Sequence, residues 1–197
     1  MKTLEQLLED ARVAHGHLCA GQVLGVRMAM LGLEKLGIED PLGKDRKRIV
    51  TFVEIDRCVT DAVMVVTGCR LGKRALKFRD WGKVAATFVD VGSGRAIRVV
   101  AKESSKDLAR TMHPELPTKN EQQMAAYREM QRDDLFDCQW VKVDLPDTEM
   151  PGYKGERIVC ARCGEGINFH REVRRGEEIL CKGCAGEKYY QSVEKEN

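Results

Sequence analysis

Val84-Ala-Ala-Thr-Phe-Val-Asp-Val-Gly-Ser-Gly-Arg-Ala-Ile-Arg-Val-Val100 is the stretch that decides the fold class. Two β-rich runs, 84–91 and 96–100, are joined by Gly92-Ser-Gly94, and a glycine-rich turn between such runs predicts an antiparallel hairpin. Upstream, Ile49-Val-Thr-Phe-Val-Glu-Ile55 is a β-branched run that reads as a strand. Cys58-Val-Thr-Asp-Ala-Val-Met-Val-Val66 fits either a strand or a short helix opened near Arg57-Cys58 or Thr60, and its sequence leaves both open. Further upstream, Leu4, Leu7, Leu8, Ala11 and Val13 predict an amphipathic helix with Thr3 as its cap and Gly16 near its end. A second helix is expected from Gly21 to Leu36, too densely apolar for a surface position, with Gly37 as its stop. Within it, Gly21, Gly25 and Gly32 predict close helix packing. Downstream of the hairpin, Ser104-Ser-Lys-Asp-Leu and Pro117-Thr-Lys-Asn-Glu-Gln read as helix starts, and Trp140 to Val143 as a last strand. Helices mixed with at least one hairpin give an α+β class, with antiparallel pairing in the sheet.

The stretch from Asp144 to Gly155 holds two prolines and two glycines and fits neither periodicity. The chain is therefore expected to divide into a core, 1–150, and a small C-terminal module, 151–197. Its 197 residues carry 33 basic and 31 acidic side chains, a net charge of +2, and are 43% apolar, which is a globular composition. Near-balanced charge argues against a general nucleic-acid binder. No apolar run approaches the roughly 20 residues needed to cross a bilayer, and acidic residues stand in the N-terminus where a signal peptide needs an apolar stretch. The expected compartment is the cytoplasm, where clustered cysteines read as metal ligands or reactive thiols rather than disulfides.

Eight cysteines are present, and four of them form the pairs Cys160-Ala-Arg-Cys163 and Cys181-Lys-Gly-Cys184, 17 residues apart. Two residues between thiolates let one turn aim both at one ion, and the second pair completes a tetrahedral zinc site. The module reads as a zinc finger of treble-clef type: Ile167 to Val173 and Glu178-Ile-Leu180 as a hairpin, and Cys184 to Gln191 as a closing helix. Four thiolates leave no open coordination position, so this zinc is structural. His170 is read as a surface residue and Cys138 has no assigned role.

A second constellation lies near the N-terminus. His15-Gly16-His17-Leu18-Cys19 packs two imidazoles and a thiol into five positions at a helix junction, a donor set suited to zinc or another late transition metal. Three protein ligands with an open position describe a catalytic metal; a thiol activated by an imidazolium or a helix N-terminus describes a reactive cysteine. Cys58 and Cys69 follow strand-like runs and are expected to converge on the same place. The candidate metal ligands here are His17, Cys19 and Cys58, with His15, Asp61 or Cys69 nearby. The candidate catalytic residues are Cys19, Cys58 and Asp61.

The motifs His15-Gly-His-Leu-Cys-Ala-Gly21, Gln22-Val-Leu-Gly-Val-Arg27, Cys58-Val-Thr-Asp-Ala62, Thr67-Gly-Cys69, Leu71-Gly-Lys73 and Asp80-Trp-Gly-Lys83 together resemble the FmdE family of formylmethanofuran dehydrogenase components. The family is named for genes beside a molybdenum or tungsten enzyme that oxidises formylmethanofuran. The resemblance implies a homodimeric α+β core with a histidine/cysteine site able to bind metal, and a C-terminal zinc finger as in some relatives. The first functional expectation is a metal-binding accessory or redox protein of a molybdenum or tungsten formylmethanofuran dehydrogenase-type enzyme, with that enzyme or another protein as partner. An independent metal-dependent enzyme comes second, and a zinc-finger regulator binding nucleic acid or protein third. Gly68-Cys-Arg-Leu-Gly-Lys73 is one residue short of a phosphate loop and lacks the following Ser or Thr.

Overall fold

The computed structural model of the chain describes residues 2–191 and 193. It divides into two compact units, 1–144 and 145–197.

The first unit is a five-stranded sheet with helices packed on it. Helix α1 (Leu4–His15) begins at Thr3, whose hydroxyl accepts from the Gln6 amide while the Gln6 side chain accepts from the Thr3 amide. It ends at Gly16, which takes the left-handed conformation at φ 94°. Leu7, Leu8 and Ala11 face the core, but Val13 is 66% exposed, so the apolar stripe is narrower than the sequence suggested. Helix α2 (Ala20–Leu36) is buried along most of its length and stops at Gly37, φ 68°. It packs on the sheet and against α1, on α3 (Cys58–Thr67), and on α5 (Lys119–Glu129).

The segment 58–67 is a helix although four of its residues are valines. Val59, Ala62, Val63 and Val66 fall at helical spacing and are all buried, and that burial outweighs the modest helical penalty of β-branched residues. Strand β1 (Ile49–Val53) pairs in parallel with β2 (Leu76–Phe78) and antiparallel with β3 (Ala85–Asp90). The hairpin continues from β3 to β4 (Ala96–Ala101), and β5 (Phe136–Val141) closes the order β2-β1-β3-β4-β5. At the turn, the Asp90 carboxylate accepts from the Gly92 amide and the Ser93 hydroxyl. Phe88, fully buried, lies against Gly32 of α2, where even a methyl group would overlap its ring. Helix α4 (Ser104–Met112) and the single turn α6 (Arg132–Leu135) complete the unit. Cys138 lies on the exposed edge strand β5.

The second unit has little core: Cys160, Ile167, Leu180 and Ala185 are its buried cluster. Strands β6 (Ile158–Val159) and β7 (Gly166–Ile167) form one short hairpin, and β8 (Val173–Arg175) and β9 (Glu178–Leu180) the other. Ile167 thus belongs to the hairpin around the first cysteine pair, not to the one between the pairs. The expected closing helix 184–191 is reduced to a turn over Gly183–Glu187, because Gly186 takes φ 107° and Lys188 is extended.

Candidate metal centres

In the second unit the four Sγ atoms of Cys160, Cys163, Cys181 and Cys184 lie within 4.8 Å of one another. Zn–S bonds of about 2.3 Å put the sulfurs of a tetrahedral site about 3.8 Å apart, so a small contraction closes the shell. Backbone amides already point at the sulfurs: the Cys181 N–H donates to Cys160 Sγ at 3.2 Å, and the Cys184 N–H to Cys181 Sγ at 3.3 Å. Amides of Cys163 and Cys181 pull the Cys160 thiol down to about 6. Cys184 is pushed up to about 12, first by its hydrogen bond to Cys181 and then by burial. Four sulfurs this close cannot all ionise without a cation between them, and the arrangement is a zinc site.

The core cluster is built where α1 ends and α2 begins. Gly16 bends the chain sharply enough that one ligand atom from each of His15, His17 and Cys19 falls within 4.8 Å of the others. The two imidazole rings are 4.8 Å apart between centroids. Cys19 is the N-cap residue of α2, and the Ala20 amide that follows donates to Asn120 Oδ1 at 3.1 Å, so the start of α5 steadies this end of α2. Asn120 carried no motif; only the fold brings it within reach.

Cys58 and Asp61 come from the first turn of α3. His15 Nδ1 meets Asp61 Oδ2 at 2.8 Å, which fixes the ring and leaves Nε2 for a metal. A carboxylate behind a ligating histidine is the usual way such rings are oriented and made more basic. Cys58 stands beside Cys19, and burial together with the neighbouring Cys19 thiol pushes its pKa up. Gly21 makes room for this pair: a Cβ there would lie 3.3 Å from Cys58 Cβ and 3.8 Å from Cys19 Sγ.

Cys69 goes elsewhere. It follows α3, and ten helical residues separate the two ends of α3 by about 15 Å. It is 1% exposed, accepts from the Thr51 hydroxyl at 3.4 Å and approaches the Ile49 carbonyl at 3.6 Å. Burial raises its pKa, as expected of a thiol that fills core space.

A cleft of about 500 Å³ opens beside the cluster. His15, Arg57, Cys58 and Asp61 form its polar side; Val53, Met64, Leu76 and Phe78 are on its apolar side. The donor set of two imidazoles and one thiolate suits zinc, and with Cys58 adjacent it offers three or four ligands.

The prokaryotic dksA/traR C4-type zinc finger matches residues 153–190. A relative from Archaeoglobus fulgidus, named a probable S-adenosyl-L-methionine-binding protein, is 31% identical over 206 residues, covering 94% of this chain and 54% of its own length. The chain thus spans about half the length of that curated relative. The crystal structure of an FmdE-like protein of the tungsten formylmethanofuran dehydrogenase type, from Syntrophus aciditrophicus, matches with a TM-score of 0.67 and 25% identity over 96% of both chains. The family described as FmdE, molybdenum formylmethanofuran dehydrogenase operon, matches residues 14–137, most of the chain and all of its core histidine/cysteine cluster, and the chain belongs to that family.

Proposed function

We propose that the core binds a transition metal, zinc foremost, through His15, His17 and Cys19, with Cys58 alongside, and that the protein serves as a metal-binding accessory to a molybdenum or tungsten formylmethanofuran dehydrogenase-type enzyme. The observation that carries the metal reading is the convergence of His15, His17 and Cys19 ligand atoms within 4.8 Å, with Asp61 bonded to His15 from behind. The accessory role rests on family membership. In this reading the protein works as a cytoplasmic homodimer, and the finger is its structural or partner-docking module. A second reading, an independent metal-dependent enzyme, is favoured by the cleft. A three-ligand metal at the edge of an open 500 Å³ hollow has room for a substrate. Asp61 would then hold or move a proton through His15, while the apolar side would seat a nonpolar part of the substrate.

Metal content tests the reading. Protein purified without chelators or metal-affinity columns is expected to hold two zinc ions per chain. Cys19→Ser should hold one, since a hydroxyl is a far poorer zinc ligand than a thiolate. Cys69→Ser should still hold two. One zinc in the parent protein, unchanged by Cys19→Ser, would sink the core metal site. Asp61→Asn should keep the ligands but weaken core zinc affinity by about 10–100-fold, the usual loss when a partner behind a ligating histidine is removed.

A further inference from the structure

We propose that Cys19 and Cys58, both partly exposed, form a pair that exchanges with small disulfides and whose oxidation removes a core metal ligand. Both cysteines are free and partly exposed, and Cys58 lines the cleft. The two side chains flank the single gap left by the missing side chain of Gly21, with Cys58 Cβ 3.3 Å and Cys19 Sγ 3.8 Å from where its Cβ would be. Gly25, one turn on, lets α3 lie directly against α2 and holds the pair at that spacing. The Cys58 thiol already meets the Cys19 side chain in a hydrogen-bond contact, and rotation about each Cα–Cβ bond swings the two sulfurs into the shared gap toward the S–S distance of a disulfide, about 2.05 Å. Cys19 stands at the start of α2 and Cys58 at the start of α3, so the two side chains ride on helices that are in direct contact. The other cysteines differ: four hold zinc, Cys69 is sealed in the core, and Cys138 is alone on β5.

The exchange runs in two displacements. The Cys19 thiolate attacks one sulfur of a disulfide RSSR, forming a Cys19–SR bond and expelling RS⁻. The Cys58 thiolate then attacks Cys19 Sγ, forming the Cys19–Cys58 bond and expelling the second RS⁻. Two protein thiols and RSSR become one protein disulfide and two RSH; the two thiol protons end on the RSH molecules, and two electrons pass from the cysteine sulfurs to the small disulfide. Once oxidised, Cys19 no longer offers a thiolate, so metal and disulfide exclude one another. This last consequence rests on the metal reading above; the pairing itself does not.

The full-length reduced protein is incubated with oxidised glutathione, remaining thiols are blocked with N-ethylmaleimide, and the digest is analysed by mass spectrometry. A Cys19–Cys58 linked peptide, lost after dithiothreitol, is expected, and Cys58→Ser should accumulate a glutathione adduct on Cys19 because nothing resolves it. Finding both cysteines fully blocked by N-ethylmaleimide, under conditions that place glutathione on Cys138, would overturn the proposal. Zinc counted in the same samples should fall by one ion per chain on oxidation. If the reduced protein holds only the finger zinc while the linked peptide still forms, the metal reading fails and the exchange pair stands.

Discussion

Stripping zinc from the full-length protein is expected to unfold residues 145–191 while the sheet and helices of the first unit stay folded. The second unit buries only Cys160, Ile167, Leu180 and Ala185 as a cluster, and its strands are two or three residues long. Apolar burial on that scale is too small to offset the conformational entropy lost in ordering the module. Zinc in finger peptides contributes about 10–16 kcal/mol, which is enough to decide between folded and unfolded. The reporters are amides that depend on the metal-bound turns: Gly164 N–H to the Cys160 carbonyl at 3.0 Å, Ala161 to Ile179 at 2.9 Å and Ala185 to Cys181 at 2.9 Å. Their hydrogen exchange should rise by orders of magnitude on chelation, and Cys163→Ser should reproduce the effect with zinc present. Amides of β3 and β4 should stay protected. Retained protection at Gly164, Ala161 and Ala185 in both conditions would show that the module folds on packing alone.

Local signals carried much of the architecture. Thr3 and Gly16 bound α1, Gly37 stops α2, Thr118 with Glu121 opens α5, and the glycine-rich turn makes the β3–β4 hairpin. These are short-range effects, written in residues that touch along the chain. The segment 58–67 was ambiguous because its valines favour a strand locally, while its helix is favoured by packing against α1 and α2, which sequence periodicity registers only weakly. Strand β2 gave no signal: three residues of parallel pairing are set by β1 across the intervening α3. The site divides in the same way. His15, His17 and Cys19 were legible because one glycine bend gathers them within five residues, whereas the bond from His15 to Asp61 spans 46 residues. Cys58 and Cys69 looked equivalent in sequence, and the helix between them sends one to the cluster and the other into the core.

Gly25→Ala is expected to cost about 3 kcal/mol of stability and to weaken the core metal site more than that loss alone explains. An added Cβ would stand 2.5 Å from the Val59 carbonyl oxygen, 3.0 Å from Val59 Cα and 2.8 Å from Ala62 Cβ. None of these atoms can move by a side-chain rotation, so the only relief is for α3 to retreat from α2. Overpacking a core costs about 1–3 kcal/mol where side chains can adjust, and a backbone collision belongs at the upper end or beyond. Against a total of about 5–15 kcal/mol the protein still folds, which makes the variant informative. The retreat matters at the site because Cys19 rides on α2 while Cys58 and Asp61 ride on α3. Moving one helix from the other opens the gap at Gly21 and stretches the His15–Asp61 bond from 2.8 Å. Phe88→Leu supplies the control, since it loosens the sheet side of α2 at Gly32, three turns from Cys19, at a cost of about 1–2 kcal/mol. Urea melts would rank the two variants in stability, and competition with a zinc chelator would rank their core affinity. The α2–α3 spacing is the determinant if Gly25→Ala loses tenfold or more in zinc affinity while Phe88→Leu keeps the parent value; equal affinities in the two would assign the cluster to the His15–Cys19 bend alone.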